Sequence, residues 1–146
     1  MRKLLSIALF IGVTAIIFSS CGKYEEGPGI SLKSKAGRLA GTWEYEKMIV
    51  DGTEQDISFY SDITTTLEKD GTGKMTWGSL EMELEWEFDD KKENFRARTK
   101  NSTTGEMDEW GDWAKILRLT SDEFWITEEE TVGGATVVTE THMKKK

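Results

Sequence analysis

Two tryptophans stand among carboxylates in residues 106–113, which read Glu-Met-Asp-Glu-Trp-Gly-Asp-Trp. An exposed indole ring beside hydrogen-bond acceptors is suited to stacking a sugar ring and binding its hydroxyl groups. If the segment instead folds over the mouth of the domain, the two rings form a hydrophobic lid, since tryptophan is highly buried on average. The pattern therefore predicts Trp110 and Trp113 as ligand contacts, with the lid as the favoured structural alternative.

Three carboxylates of the same segment, Asp108, Glu109 and Asp112, provide oxygen ligands of the kind that calcium prefers. Their spacing matches no EF-hand loop, and surface carboxylates are usually solvated. A zinc site needs clustered histidine or cysteine, and this chain has one residue of each type. The sequence therefore predicts no metal site and no cofactor.

Catalysis needs a nucleophile or an acid and base pair, and the sequence offers few groups for either. No nucleophile-elbow glycine pattern accompanies His142, the single histidine. The glutamates at every second position from 81 to 87 form a repeating row, whereas glycoside hydrolysis needs two opposed carboxyl groups. The glycines within residues 70–74 lack the spacing of a phosphate-binding loop and indicate a turn. We predict no catalytic residues and no enzyme activity.

The amino terminus has the pattern of an export signal. Two basic residues precede an apolar run over residues 4–18, and small residues then surround Cys21, the single cysteine. A basic start, a short apolar stretch and small residues at a cleavage point are typical of a secretory signal. Residues 18–22 resemble the lipobox of bacterial lipoproteins. That resemblance implies a signal peptide over residues 1–20 and lipidation of Cys21, which would attach the protein to a membrane.

The residues after Cys21 indicate a tether. Residues 21–34 include three glycines and the only proline, and such a segment buries too little apolar surface to offset the entropy of ordering. Residues 23–26 resemble the basic and then acidic tract of surface-exposed lipoproteins of Bacteroidetes. The resemblance implies an outer-membrane lipoprotein that faces the cell surface, with the periplasmic face as the alternative. One globular domain then extends over residues 35–146.

The formal net charge of the chain is −8 at pH 7. Neutralising nucleic-acid phosphates requires clustered lysine and arginine, and the only terminal basic run is at residues 144–146. The composition therefore predicts no nucleic-acid partner. An acidic outer face would instead suit a basic protein partner.

Residues 80–88 alternate between apolar side chains and glutamates, and residues 95–100 alternate between small or apolar side chains and basic ones. A period of two is that of a half-buried strand. A hairpin in which Phe88 faces Phe95 brings opposite charges together at each outward position: Glu87 with Arg96, Glu85 with Arg98, and Glu83 with Lys100. Because a slip of one residue would bury these charges, the pattern specifies the register.

The same alternation predicts six more strands, at residues 42–50, 62–69, 73–77, 115–120, 123–129 and 135–142. Glycine and aspartate turns separate them, which favours hairpins. Eight strands in an antiparallel meander tend to close on themselves because closure removes exposed edges. The sequence thus predicts an all-β domain, an eight-stranded antiparallel meander closing into a small barrel.

The first predicted strand begins with Gly41, Thr42 and Trp43 and follows a helical turn at residues 36–40. This Gly-x-Trp motif resembles the signature that opens lipocalin barrels, and with its leader and tether the chain resembles the lipocalin-like lipoproteins of Bacteroidetes. The resemblance implies that Trp43 packs across the base of the barrel as a core residue. The domain is shorter than a typical lipocalin, which predicts short strands and loops.

The interior of an eight-stranded barrel is just wide enough to be filled by side chains or to hold one small ligand. Large side chains on the predicted strands would fill much of it: Leu84, Trp86, Phe88, Phe95, Leu117, Leu119, Phe124 and Ile126. A packed core is the favoured interpretation of this set, and Trp86 is its candidate ligand contact if space remains.

Two functional hypotheses follow from the sequence. The first is a lipid-anchored, extracytoplasmic binding module for a small apolar or glycan ligand at the barrel mouth. The second is a protein-interaction, inhibitor or accessory lipoprotein without a ligand cavity.

Overall fold

The computed structural model describes residues 32–146. The predicted signal peptide, Cys21 and the tether up to residue 31 lie outside the described residues. Within 32–146, no helix has the length and apolar character needed to cross a bilayer. The described chain begins with a short helix, α1 (Lys35–Leu39), which Ser34 caps: its hydroxyl oxygen accepts from the Gly37 backbone N–H at 3.0 Å.

Nine β-strands follow α1. They are β1 (Gly41–Val50), β2 (Thr53–Glu54), β3 (Ile63–Leu67), β4 (Thr72–Trp77), β5 (Leu80–Phe88), β6 (Asn94–Thr99), β7 (Ala114–Leu119), β8 (Glu123–Val132) and β9 (Ala135–Lys145). A single 3₁₀ turn, Ser58–Tyr60, connects β2 to β3.

The strands form one antiparallel sheet in the order β2-β1-β3-β4-β5-β6-β7-β8-β9. Because β9 also pairs with β1, eight strands close into a barrel and β2 is a short addition on β1. The predicted all-β fold, an eight-stranded antiparallel barrel, is confirmed.

The β5 and β6 hairpin has the predicted register. Phe88 is opposite Phe95, Glu87 opposite Arg96, and Glu85 opposite Arg98. The side chains of Glu83 and Lys100 meet one step further along, at 2.9 Å. The charge alternation of these two strands therefore specified their alignment, since each outward pair joins opposite charges.

Trp43 closes the end of the barrel that holds α1, which we call the base. Its side chain is 1% exposed, and its indole N–H donates to the Leu39 backbone oxygen at 2.7 Å. Its ring also packs on Phe124, with 5.8 Å between centroids. The core position predicted for Trp43 is confirmed. The opposite end, which we call the mouth, is formed by the turns after β1, β4 and β8 and by the 3₁₀ turn.

Strand β7 departs from simple alternation. Its pairing with β8 shifts between Ile116 and Arg118, so that Ile116 and Leu119 both face the core and are almost fully buried. Leu117 is only partly buried. The prediction that Leu117 fills the core is wrong, because a β-bulge inserts one residue and turns this side chain away.

Candidate functional site

The barrel contains a partly open cavity of about 170 Å³ between the base and the mouth. The alternation along each strand explains its lining, because residues two apart on a strand share a face. The lining residues are Trp43, Tyr45, Thr65, Leu67, Met75, Leu84, Phe95, Ala97, Thr99, Phe124, Ile126 and Met143. The interior is therefore not completely filled, despite the large side chains predicted for it.

The lining is apolar near the base and carries three hydroxyl groups, those of Tyr45, Thr65 and Thr99. Burial raises the pKa of the Tyr45 hydroxyl, and the neighbouring Tyr60 and Glu128 raise it further. Tyr45 is therefore a neutral phenol at physiological pH, able to donate or accept one hydrogen bond. A ligand in this cavity would meet mostly apolar surface and a few hydroxyls.

Glu128 follows Phe124 and Ile126 at the same spacing on β8, one step closer to the mouth, where its side chain is exposed. Partial desolvation raises the pKa of its carboxyl, and the negative charges of Asp112 and Glu130 add to this effect. These carboxylates line a second cavity of about 180 Å³ together with Glu129 and Thr139. Thus an acidic compartment lies beside the apolar one along β8.

Aromatic side chains line one side of the mouth. Tyr60, on the 3₁₀ turn, packs against Tyr45 with 5.0 Å between ring centroids. Phe59 contacts both Tyr60 and Trp77, at 5.4 and 5.0 Å between centroids. Phe59 is 61% exposed, Trp77 43% and Leu80, opposite Trp77 in the next strand, 47%. Exposed apolar side chains in one contiguous group are typical of a contact surface.

Trp86 lies in the core, 5% exposed, and is absent from the lining of both cavities described above. Its indole N–H is shared between the backbone oxygens of Glu68 and Thr72, at 3.0 and 3.1 Å. Its ring packs on Phe88 and Phe95. These contacts give Trp86 a structural role at the turn between β3 and β4, away from the space available to a ligand.

Strands β6 and β7 pair through only two residue pairs. The segment that connects them, residues 100–113, runs beside the rest of β6. The Gly111 N–H donates to the Ala97 oxygen at 3.1 Å, and the Asp108 N–H donates to the Thr99 oxygen at 2.9 Å. The segment therefore occupies the edge of β6 that β7 does not reach.

Trp110 and Trp113 lie on the outer face of the barrel. The guanidinium of Arg96 is 4.2 Å from the centre of the Trp113 ring and 5.0 Å from that of Trp110, and Arg98 is 4.5 Å from Trp110. Both arginines alternate with Phe95 and with other residues that line the cavity, so their side chains point outward. The prediction of a lid over the mouth is wrong: the rings are held by cation–π contacts with the outward arginines, and Trp113 remains 41% exposed.

The groups considered for catalysis lie on the outer side of the sheet, where neighbouring side chains leave His142 only 9% exposed. The His142 ring stacks on Trp125, with 3.9 Å between centroids, and its Nε2 atom contacts Glu140. Every glutamate of the predicted outward row is ion-paired: Glu81 with Lys74, Glu83 with Lys100, Glu85 with Arg98, and Glu87 with Arg96. In the part of the chain that the structure describes, no three His, Cys, Asp or Glu side chains are grouped as metal ligands.

No protein-family model matches the chain, and no curated protein matches its sequence at a significant level. The candidate site is therefore argued from its geometry alone. Sequence reasoning missed Tyr45 and Glu128, although each follows a core residue at a spacing of two, which places it on the inward face. It also missed Phe59 and Tyr60, because no periodic pattern marks an isolated 3₁₀ turn.

Proposed function

We propose that this domain binds one compact, mainly apolar molecule inside the barrel. The observation that supports the proposal is the cavity of about 170 Å³. An apolar cavity of about 150 Å³ in another protein binds benzene, whereas drug-sized ligands occupy pockets of roughly 300–1,000 Å³. A ligand with one aromatic ring or a branched alkyl group fits this space, and a long acyl chain exceeds it.

The aromatic rim supports the same proposal. Phe59, Trp77 and Leu80 offer an exposed apolar surface at the mouth, and Tyr60 joins this surface to Tyr45 in the cavity lining. An apolar ligand would first contact the rim and then pass Tyr60. The rim thereby gives these exposed aromatic groups a role in admitting the ligand.

We further propose that the domain is an outer-membrane lipoprotein at the cell surface, attached through lipid on Cys21 as in the lipocalin-like lipoproteins that the sequence resembles. A multiply acylated cysteine supplies strong membrane affinity, at about 0.8 kcal/mol per buried methylene. The described chain begins at the base of the barrel, with Ser34 capping α1. A tether joined there is compatible with a mouth that faces away from the membrane.

Calorimetric titration of the purified full-length chain with 2-phenylethanol and with palmitate tests the cavity. We expect 2-phenylethanol to bind and palmitate not to compete with it. Ala97→Leu adds volume inside the cavity and should weaken binding at least tenfold, whereas Ala135→Leu makes the same change at the exposed first residue of β9 and should not. Equal affinity in both variants would contradict a ligand site inside the barrel.

The same titrations distinguish the other ligands that the sequence allows. An oligosaccharide whose binding survives Ala97→Leu and disappears in Trp113→Ala would favour a glycan site on the outer face.

The anchor is tested separately by metabolic labelling with an alkyne-bearing fatty acid. Cys21→Ser should abolish the label and release the protein from the membrane fraction, and a label that persists would contradict lipidation at Cys21.

A further inference from the structure

Three residues with hydroxyl groups line the barrel cavity, and the protein itself uses the hydroxyl of only one of them. The Thr99 hydroxyl donates to Asp108 Oδ2 at 3.2 Å. Within residues 32–146, the hydroxyls of Tyr45 and Thr65 have no hydrogen-bond partner. Neither oxygen belongs to the fully buried polar atoms that lack a partner, so both keep accessible surface. A molecule in the cavity can therefore reach two unpaired hydroxyls.

Other polar groups in the same core are satisfied by the protein. The Trp43 indole N–H donates to the Leu39 backbone oxygen at 2.7 Å, and the Trp86 indole N–H is shared between two backbone oxygens at the turn from β3 to β4. Interior polar groups usually have such partners, and an unpaired hydroxyl beside apolar surface costs free energy. A ligand that supplies the missing hydrogen bonds to Tyr45 and Thr65 recovers part of that cost.

The two hydroxyl-bearing side chains stand on one wall of the cavity. Thr65 on β3 is opposite Trp43 on β1, and Tyr45 is two residues further along β1 on the same face. Diagonal neighbours of this kind are about 7–8 Å apart at their backbones, within reach of a long side chain. The wall that β8 contributes is apolar, with Phe124 and Ile126. A ligand with one polar atom would therefore direct that atom toward β1 and β3.

The lining also selects against charge. Among the described residues that line the cavity, Tyr45 has the only side chain with an ionisable oxygen. Burial raises the pKa of this hydroxyl, which is neutral at pH 7. An ion that entered the cavity would lose its hydration without gaining a counter-charge there, which is costly. The cavity therefore favours a neutral molecule.

We propose that the ligand is a compact neutral molecule with one hydrogen-bonding oxygen, a hydroxyl or a carbonyl, which the hydroxyls of Tyr45 and Thr65 bind. This inference rests on the proposed function, because it specifies the class of molecule that the cavity accepts. Either hydroxyl can donate to a ligand oxygen or accept from a ligand hydroxyl. A hydrocarbon of the same size would leave both hydroxyls unpaired.

Four probes of nearly equal size test the inference: 2-phenylethanol, propylbenzene, phenylacetate and 2-phenylethylamine. Calorimetric titration of the full-length chain at pH 7 should show the carboxylate and the amine each binding about tenfold more weakly than the alcohol. The double substitution Tyr45→Phe with Thr65→Val removes both hydroxyls and retains the shape of each side chain. It should weaken the binding of 2-phenylethanol about tenfold and leave the affinity for propylbenzene within about twofold.

Thr64→Val is the matched control, because it removes a hydroxyl from the adjacent position of β3, which faces outward. It should leave the affinity for each probe unchanged. Circular dichroism and the thermal midpoint of each variant establish that it is folded.

The outcomes separate this inference from the proposed function. If the parent and the folded double variant bind 2-phenylethanol equally well, the hydroxyl proposal is wrong and the cavity proposal stands. An amine or a carboxylate that binds more tightly than the alcohol would also overturn the hydroxyl proposal, since the ligand class would then be ionic. If none of the four probes binds, the cavity proposal itself fails.

Discussion

The ammonium group of Lys145 lies 4.8 Å from the centre of the Trp43 ring and donates to the backbone oxygen of Ala40 at 2.8 Å. The last strand is thereby fastened to the first strand and to the end of α1. A second hydrogen bond, from the same group to the Arg38 oxygen at 3.1 Å, satisfies another carbonyl at the end of the helix. The base of the barrel is therefore closed by the two ends of the described chain.

Lys145→Met should destabilise the protein, because it keeps the aliphatic stem and removes both hydrogen bonds and the cation over Trp43. We expect the free energy of unfolding to fall by about 1–3 kcal/mol. Urea denaturation measures this change. Lys144→Met, on the neighbouring and more exposed side chain, should cost less than 0.5 kcal/mol. Equal losses in the two variants would show that the Lys145 contacts contribute nothing specific.

Gly73→Ala should prevent folding or lower the free energy of unfolding by more than about 2 kcal/mol. A Cβ atom at Gly73 would lie 2.3 Å from the Thr66 backbone oxygen and 2.9 Å from a methyl group of Leu84. Gly78→Ala offers a comparison, since Gly78 has a positive φ of 57° but open space around it, and should cost only about 1 kcal/mol. Soluble yield and thermal unfolding would reveal the difference, and a Gly73→Ala protein as stable as the parent would contradict the close strand contact.

Glu128→Gln should stabilise the protein at neutral pH and not at low pH. The carboxyl faces Tyr45, Asp112 and Glu130, and its pKa is higher in the folded protein than in the unfolded chain. As the pH rises from the ordinary pKa of the unfolded chain to the raised pKa of the folded protein, ionisation of Glu128 therefore lowers the free energy of unfolding. Solvent screening limits the effect, and we expect the free energy of unfolding to rise by about 0.5 kcal/mol at pH 7. At pH 3 we expect no change. Urea denaturation at both pH values measures the gain, which Glu129→Gln should not reproduce.

Trp113→Ala should leave the affinity for the cavity ligand within twofold of the parent value. The ring lies on the outer face over Arg96, which points away from the cavity. We expect the free energy of unfolding to fall by about 0.5–1 kcal/mol through the lost cation–π contact. Titration with 2-phenylethanol and urea denaturation provide the two readouts. A large loss of affinity in a stable variant would show that this ring reaches the ligand after all.

Much of the fold was predictable from local patterns. The alternation of residues 80–88 and 95–100 predicts both the strands and their register. A strand has one inward and one outward face, and the charged side chains must lie on the outward one. Trp43 was predictable as a core residue from the Gly-x-Trp motif at the first strand. By contrast, the β-bulge in β7 was missed because Ile116 and Leu117 are adjacent apolar residues, and the period of two does not say which of them faces the core.

The sequence by itself determined an all-β domain with eight strands, their turns and the pairing of β5 with β6, since these depend on neighbouring residues. Only the tertiary structure decided that the interior retains a cavity of about 170 Å³, because the space left in a barrel depends on how side chains from all its strands meet. It also decided that Trp110 and Trp113 lie outside against Arg96 and Arg98, while Tyr45 and Glu128 stand at the mouth. The contacts of Trp110 and Trp113 join distant segments, so no local spacing predicts them, whereas a spacing of two from Trp43 and Ile126 does indicate the faces of Tyr45 and Glu128.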